Sequence, residues 1–127
     1  MLKTMAYIFG VVFLLIGILG FIPAFTPTNT GLLLGIFHVD AIHNLVHLLS
    51  GAAALYAGMT SAKTAKMYFQ IFGVVYALVA VLGFIDPSGD KLIGLMASNV
   101  ADTWLHVVIA VVALYLGFAS KDEATTV

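Results

Sequence analysis

Two short polar motifs in this sequence contain the residue types that could do chemistry. The motifs are His43-Asn44-x-x-His47 and Asn99-x-x-Asp102-x-x-Leu105-His106. Residues four apart lie on the same face of a helix, so His43 is expected beside His47, and Asp102 beside His106. Three imidazoles and one carboxylate suit zinc or another divalent first-row metal. The first interpretation is therefore a metal site made of His43, His47, Asp102 and His106, called the polar cluster below.

Haem is a second possible cofactor. His47 and His106 could ligate it from opposite sides, because imidazole is a common axial ligand. Small residues follow both histidines at helical spacing and would leave room for the haem. They are Gly51, Ala54, Gly58, Ala110, Ala113 and Gly117. A ferritin-like di-iron centre needs several glutamates, whereas Glu123 is the only one in the sequence.

Two interpretations of the polar cluster need no cofactor. In one, it is an interhelical hydrogen-bond network in which Asp102 accepts from His43 or His47. In the other, it belongs to a pathway for protons or small solutes, because intramembrane His and Asp are typical relay residues. The small residues beyond His47 and His106 are not ionisable, so such a relay would end part-way across a membrane.

Composition excludes several classes of function. With no cysteine, the chain has no disulfide, thiolate metal site or cysteine nucleophile. A net charge of -1 provides no basic surface for nucleic acid. The sequence contains no G-x-S-x-G, G-x-x-x-x-G-K-[ST] or H-E-x-x-H motif, and no catalytic residue is assigned. We expect binding or assembly, not enzymatic turnover.

The elements that must position the polar cluster are membrane-spanning helices. Of the 127 residues, 62% are hydrophobic and 9% charged, whereas soluble domains have about 25% charged residues. Each of four apolar runs is long enough to cross roughly 30 Å of hydrocarbon. The runs are 5–25, 41–59, 67–85 and 100–119. The predicted fold class is an all-α integral membrane protein, a four-helix bundle forming a single domain over 1–127 with a short polar tail at 120–127.

Lysine placement predicts the orientation, because loops rich in lysine stay in the cytoplasm. Lys3, Lys63, Lys66 and Lys121 fall at one end of the four helices, and Lys91 at the other. Both termini are therefore expected in the cytoplasm.

Each end of the bundle has a further predicted feature. At the outer end, the apolar segments 31–37 and 92–96 are too short to span, and we expect them at the membrane surface or folded over the bundle. At the lysine end, tyrosines are expected to form an aromatic belt at the interface. They are Tyr7, Tyr56, Tyr68 and Tyr115.

The chain is also predicted to be two tandem helical hairpins, about 5–59 and about 67–119. A shift of 63 residues places 8–23 over 71–86 with ten of sixteen positions identical. After a gap of four residues the match continues at a shift of 59, which places His43 over Asp102 and His47 over His106. Both copies start at the same end, so they are parallel repeats, related by an approximate two-fold axis along the membrane normal.

With both motifs present, the chain resembles a bacterial four-pass membrane family catalogued as domain of unknown function 4383. The family features are His-Asn-x-x-His in the second helix and Asn-x-x-Asp-x-x-Leu-His in the fourth, and this sequence has both. The family often has Asn after the Asp, where this chain has Thr103. The likeness covers nearly the whole chain and implies an integral membrane protein of a bacterium, without an accepted activity, substrate or cofactor.

The resulting hypothesis is a small protein of the bacterial inner membrane whose polar cluster binds a divalent metal such as zinc, or haem. The alternative is a structural or interaction subunit in which the cluster is a hydrogen-bond network. The expected partners are the lipid bilayer and a second copy of the chain or another membrane protein.

Overall fold

The computed structural model describes residues 1–25, 32–34, 37–86, 91–92, 96–97 and 99–120. Within them the helices are α1 (Leu2–Leu19), α2 (Ala41–Thr60), α3 (Ala62–Ile85) and α4 (Val100–Leu114), and α4 continues as a π-helical turn over Tyr115–Ala119. Three segments are long and apolar enough to cross a membrane, namely Leu2–Leu19, Ala62–Ile85 and Val100–Ala119. The prediction of a helical membrane protein is confirmed.

Helix α2 differs from the other three in composition. Its 20 residues make it about 30 Å long, which matches the thickness of the hydrocarbon layer. It also contains His43, Asn44, His47 and Ser50, and all four side chains are buried. These polar groups make α2 the least apolar helix, and they face the interior of the bundle, as polar groups in a membrane protein generally do.

Helix α1 begins and ends earlier than predicted. It covers Leu2–Leu19 where the sequence indicated 5–25, and a 3-10 turn follows at Pro23–Phe25. Proline has no N–H and disfavours helical backbone in the residue before it. A helix therefore cannot run through Pro23 without distortion, and the apolar run to 25 overestimated its length.

A single residue, Ser61, joins α2 to α3. It is the C-cap of α2 and the N-cap of α3, and its Oγ accepts a hydrogen bond of 3.0 Å from the N–H of Thr64. Serine favours a helix start because its side chain satisfies a first-turn N–H. Helix α3 therefore begins at Ala62, five residues before the predicted start at 67.

Two short antiparallel ladders precede α2 and α4. Strand β1 (Leu32–Leu33) pairs with β2 (Phe37–His38), and β3 (Lys91–Leu92) pairs with β4 (Met96–Ala97). Leu32 lies opposite His38 and Lys91 opposite Ala97, so the ladders share one register at a shift of 59 residues. The sequence analysis did not predict them. The other residues of segments 31–37 and 92–96 lie outside the described part of the chain. Their expected location at the membrane surface therefore stays a prediction.

In each helical hairpin, α1–α2 and α3–α4, a glycine of the first helix packs against a leucine of the second. Helix α1 packs mainly on α2, and α3 mainly on α4. A Cβ on Gly10 would lie 2.5 Å from Cγ of Leu55, and a Cβ on Gly73 would lie 2.9 Å from Cδ2 of Leu114. Small residues allow close approach of helices in lipid, where packing drives their association. The two contacts are related by the shifts of 63 and 59 residues.

The interior changes from apolar to polar along the bundle. Around the end near Ser61 the buried side chains are aliphatic or aromatic, namely Leu2, Ala6, Ala54, Ala57, Ala65, Tyr68, Phe69, Ala113 and Leu116. A smaller cluster of Phe13, Tyr76 and Ala110 follows. The buried side chains towards the other end are His43, Asn44, His47, Asp102, Thr103 and His106. The residues singled out in the sequence therefore share one end of the bundle.

Candidate functional site

The start of α2 orients the first two histidines. Asp40 is the N-cap, and its Oδ1 accepts a hydrogen bond of 2.9 Å from the backbone N–H of His43. An aspartate here satisfies a first-turn N–H and places negative charge at the positive end of the helix dipole. From this start, His43 and His47 lie on the same buried face of α2.

The start of α4 has a reciprocal cap. Oδ1 of Asn99 accepts a hydrogen bond of 2.9 Å from the N–H of Asp102, and Oδ2 of Asp102 accepts one of 3.0 Å from the N–H of Asn99. This arrangement is a capping box, which satisfies two backbone donors at once. The hydroxyl of Thr103 also donates to the carbonyl of Asn99, at 3.2 Å. One carboxylate oxygen of Asp102 therefore holds the helix start.

Three histidines from two helices meet inside the bundle. His43, His47 and His106 are 1%, 3% and 2% exposed. The rings of His43 and His47 are stacked at a centroid distance of 4.7 Å, and the His106 ring lies 5.8 Å from His43 and 6.5 Å from His47. One nitrogen from each ring lies within 4.8 Å of the other two. The three side chains can therefore be directed at one point.

The fourth predicted ligand, Asp102, lies near this group but is not one of its members. It is 2% exposed and one helical turn before His106, whereas the mutually close ligand atoms belong to the three histidines. Oδ2 of Asp102 takes part in the capping box, so the structure places this carboxylate at the start of α4.

Aromatic rings enclose the histidines towards the middle of the bundle. Phe13 lies 5.4 Å from the His47 ring, and Tyr76 lies 5.6 Å from the His106 ring. Phe13 and Tyr76 are stacked on each other at 5.6 Å. The rings of Phe13 and Tyr76 therefore lie between the three histidines and the buried core at the lysine end.

Three hydroxyl-bearing residues extend the polar region, and the sequence analysis assigned none of them to the site. Oγ of Ser50 and the hydroxyl of Tyr76 share a hydrogen bond of 2.9 Å, and the hydroxyl of Tyr68 donates to the carbonyl of Ser50 at 3.0 Å. Tyr68 is 5% exposed, so its prediction as part of the interfacial belt was wrong. The predicted repeat could have drawn attention to Tyr76, because the shift of 63 residues places it over Phe13.

A cavity of about 80 Å³ adjoins the three histidines between α2 and α3. Its accessible walls are almost entirely apolar. The lining residues are His43, Val46, His47, Ser50, Phe72, Val75, Tyr76, Val79 and His106. A water molecule occupies about 30 Å³ of liquid, so the cavity is the size of a few water molecules.

Some buried polar atoms of α2 lack a hydrogen-bond partner in the part of the chain that the structure describes. Among them are Nδ1 of His47 and Oδ1 of Asn44. Leaving such a group unpaired costs about 1–3 kcal/mol, and native proteins rarely accept this cost without an ion, water or ligand to offset it. An ion, a ligand or a buried water at Nδ1 of His47 would remove this cost.

The geometry fits a metal ion better than haem. Three imidazoles that can converge on one point form a site with an open position, which suits zinc or copper. A porphyrin ligated by His47 and His106 would have to lie between their rings. The His43 ring is in contact range of both, and the adjoining cavity of about 80 Å³ is far too small for a macrocycle.

Comparison with known proteins identifies a family. Residues 3–119 match the family described as Domain of unknown function (DUF4383). This match covers most of the chain, which therefore belongs to that family, and the resemblance stated from the two motifs is confirmed. No match to a curated protein or to a solved structure was found.

Proposed function

We propose that this member of the DUF4383 family is a metal-binding protein of the bacterial inner membrane, in which His43, His47 and His106 hold a divalent first-row ion. The observation that carries the proposal is the convergence of three buried imidazoles, with one nitrogen from each within 4.8 Å of the others. Zinc is the leading candidate because it accepts neutral imidazole ligands in a tetrahedral arrangement.

Small side-chain movements would complete the coordination. Zinc–nitrogen bonds of about 2.0–2.1 Å in a tetrahedron place the ligand nitrogens about 3.4 Å apart. The three nitrogens lie within 4.8 Å of one another, so rotations of the imidazole rings would close the remaining gap. Three protein ligands leave a fourth position open, as in zinc sites that bind water or a small molecule.

Asp102 would support this metal centre in one of two ways. Its carboxylate could take the fourth coordination position, or it could accept a hydrogen bond from an imidazole N–H and orient that ring towards the metal. Carboxylates in this second role are common around metal-binding histidines. Either role agrees with burial of the side chain at 2% exposure beside three histidines.

The architecture we propose around the site is a four-span bundle of two parallel hairpin repeats. Repeat-related residues make equivalent contacts: Gly10 with Leu55 and Gly73 with Leu114. The N-caps at positions 40 and 99 and the two strand ladders obey the same shifts. Helix α2 has the length to be the fourth span, and its polar side chains are turned inward.

We place both termini in the cytoplasm. Nζ of Lys66 donates to the carbonyl of Ser120 at 2.9 Å, so the start of α3 lies beside the end of α4. Lys3 and Lys63 belong to the first turns of α1 and α3, at this same end. Because lysine-rich ends stay inside, the histidine site would lie in the outer half of the membrane.

A second candidate function is a structural lock between hairpins. The parallel stacking of His43 on His47 at an interplanar angle of 17° is the packing expected of rings that serve as core. In this case the histidines would hold α2 against α4 without a cofactor, and their replacement would lower stability alone.

Metal analysis of the purified protein separates the two functions. The protein would be isolated in mild detergent, loaded with zinc or cobalt, freed of unbound ion and analysed by elemental analysis. We expect about one ion per chain, and its loss in His47→Ala and in His106→Ala. Phe13→Leu is the matched control, because it alters packing against His47 and removes no ligand. Metal content unchanged in both histidine variants would exclude the proposed site.

A further inference from the structure

The two strand ladders cross between the hairpins at the end of the bundle opposite the lysine end, called the ladder end below. Strand β2, which precedes α2, packs on α4, and strand β4, which precedes α4, packs on α2. Two residues separate each of these strands from the helix that follows it, which allows a distance of about 10 Å at most. Each ladder therefore lies against the start of the other hairpin's second helix.

Burial shows that the ladder end is covered. His43 lies in the first turn of α2, where a side chain at an open end of a helical bundle would contact water, yet it is 1% exposed. Leu33 of β1 and Val39, which follows β2, are 2% and 6% exposed. Apolar side chains reach such burial by packing on other elements. Packing of the ladders on the helix starts accounts for the burial of all three residues.

Two other approaches to the histidines are mainly apolar. Towards the lysine end, the stacked rings of Phe13 and Tyr76 are followed by the buried hydrophobic core. Towards the lipid, the cavity between α2 and α3 has accessible walls that are almost entirely apolar. A metal ion on either route would give up its water without gaining polar contacts, which costs a large free energy. Both routes are therefore unfavourable for a cation.

The ladder end, in contrast, is polar and acidic. The sequence places four aspartates and one lysine at this end, namely Asp40, Asp86, Asp90, Asp102 and Lys91. An excess of negative charge raises the local concentration of cations. Asp40 caps α2, and Asp102 lies one turn before His106. Carboxylates therefore stand at the starts of both helices that contain the histidines.

We infer that the metal ion reaches the three histidines from the water at the ladder end, through a transient opening between the two ladders. The proposed orientation places this end outside the cytoplasm, so the ion is a hydrated divalent cation of the outer compartment. The inference rests on the proposed function, since it names the source of the ion that the histidines would hold. The site then takes up and releases its ion on one side of the membrane only.

Release of zinc from sealed vesicles tests the side of access. The zinc-loaded protein would be reconstituted in both orientations and exposed to external EDTA, a charged chelator that does not cross bilayers. The natural chain has no cysteine, so Thr60→Cys, exposed at the lysine end, adds a single thiol. In a parallel sample, an impermeant maleimide measures the fraction of molecules with this end outward. We expect EDTA to release the zinc of the unlabelled fraction, and the remainder only after detergent is added.

Two neighbouring leucines provide a matched pair for the ladders. Leu33 of β1 is 2% exposed, whereas Leu34 is 57% exposed. Leu33→Ala removes buried packing, and we expect EDTA to release zinc at least threefold faster. The affinity for zinc should stay unchanged, because a looser cover speeds uptake and release alike. Leu34→Ala should alter neither quantity. Val39→Ala replaces Leu33→Ala if circular dichroism shows that the latter does not fold. Equal release rates in the two leucine variants would contradict the role of the ladders.

Failure of the inference and failure of the proposed function give different results. Release from the labelled fraction, release from all molecules, or no release before detergent is added would each overturn the inference. In these three cases the zinc is still bound through the histidines, and the proposed metal site stands. A protein that binds no zinc before reconstitution would exclude the proposed function, and the inference with it.

Discussion

Hairpin α1–α2 and hairpin α3–α4 use equivalent contacts to fold and different side chains at the site. In both hairpins a glycine of the first helix packs against a leucine of the second. In both, the second helix has a side-chain N-cap and follows a ladder of two-residue strands. At the histidine end they differ: His43 of the first hairpin corresponds to Asp102 of the second. His43 belongs to the group of three imidazoles, whereas Asp102 closes a capping box.

This comparison separates what the fold requires from what the site requires. Positions that serve packing are equivalent in the two hairpins, because each hairpin must close against itself. The positions that differ lie around the cavity and the histidines. We therefore expect chemistry at positions where the two hairpins differ. His47 and His106 are the exception, because they are identical and face each other across the proposed axis.

The largest expected effect separates His43 from Asp102. His43→Ala removes a proposed ligand and should weaken zinc affinity more than about a hundredfold, since even outer-shell changes cost about 10–100-fold. Asp102→Asn keeps an acceptor for the capping box and should weaken affinity about tenfold. Competition with a chromophoric chelator measures both constants. Equal losses would show that the two positions serve the metal in the same way.

The glycine contacts should respond alike in both hairpins. Gly10→Val and Gly73→Val place side-chain atoms where Leu55 and Leu114 now lie. Overpacking of this kind lowers the free energy of unfolding by about 1–3 kcal/mol, and we expect both variants in this range. Unfolding in mixed micelles, followed by circular dichroism, provides the measurement. A large loss in one hairpin only would break the equivalence of the two copies.

The two helix caps should have smaller and similar effects. Asp40→Ala and Asn99→Ala each remove the side chain that caps a helix, and the loss should lower the free energy of unfolding by about 1 kcal/mol. The same unfolding assay applies, with Thr60→Ala at the far end of α2 as a control. An effect no greater than that of Thr60→Ala would contradict the role of these caps.

The smallest effect concerns a difference between the copies. Tyr76→Phe makes the third helix match Phe13 of the first, and it removes the hydrogen bond to Ser50. A buried hydrogen bond contributes about 0.5–1.5 kcal/mol to stability, which is the decrease expected in the unfolding assay. Tyr56→Phe is the control because Tyr56 is 68% exposed. A stability gain in Tyr76→Phe would indicate that the hydroxyl is retained for function alone.

Sequence patterns predicted the helices and the polar end of the bundle because both follow from local rules. Hydrophobic length locates helices in a membrane protein, and the i, i+4 spacing placed His43 and His47 on one face. Hydrophobic length could not detect the end of α1, because residues 20–25 are apolar although Pro23 interrupts the helix. The strand ladders could not be predicted either, because strands of two residues are too short to show an alternating hydrophobic pattern.

Sequence patterns also predicted part of the candidate site, namely the position of His106, but not the burial of Tyr68. The convergence of His106 on the α2 histidines was expected from the predicted repeat, in which a shift of 59 residues places His47 over His106. The burial of Tyr68 could not be found this way, because a tyrosine near a lysine-rich end fits an interfacial belt as well as a core. Only the rotation of α3 about its axis decides between them, and that rotation depends on packing with its neighbours.

The one-residue connection at Ser61 also determines how the molecule could move. Two Cα steps of about 3.8 Å separate Thr60 from Ala62, so these helix ends cannot part by more than about 7.6 Å. Any separation of α2 from α3 must pivot at Ser61 and widen with distance from it. At Ser50, eleven residues or about 16 Å along α2, a small angular change becomes a real opening. Such a movement would therefore widen the space between α2 and α3 at the cavity and leave the lysine end closed.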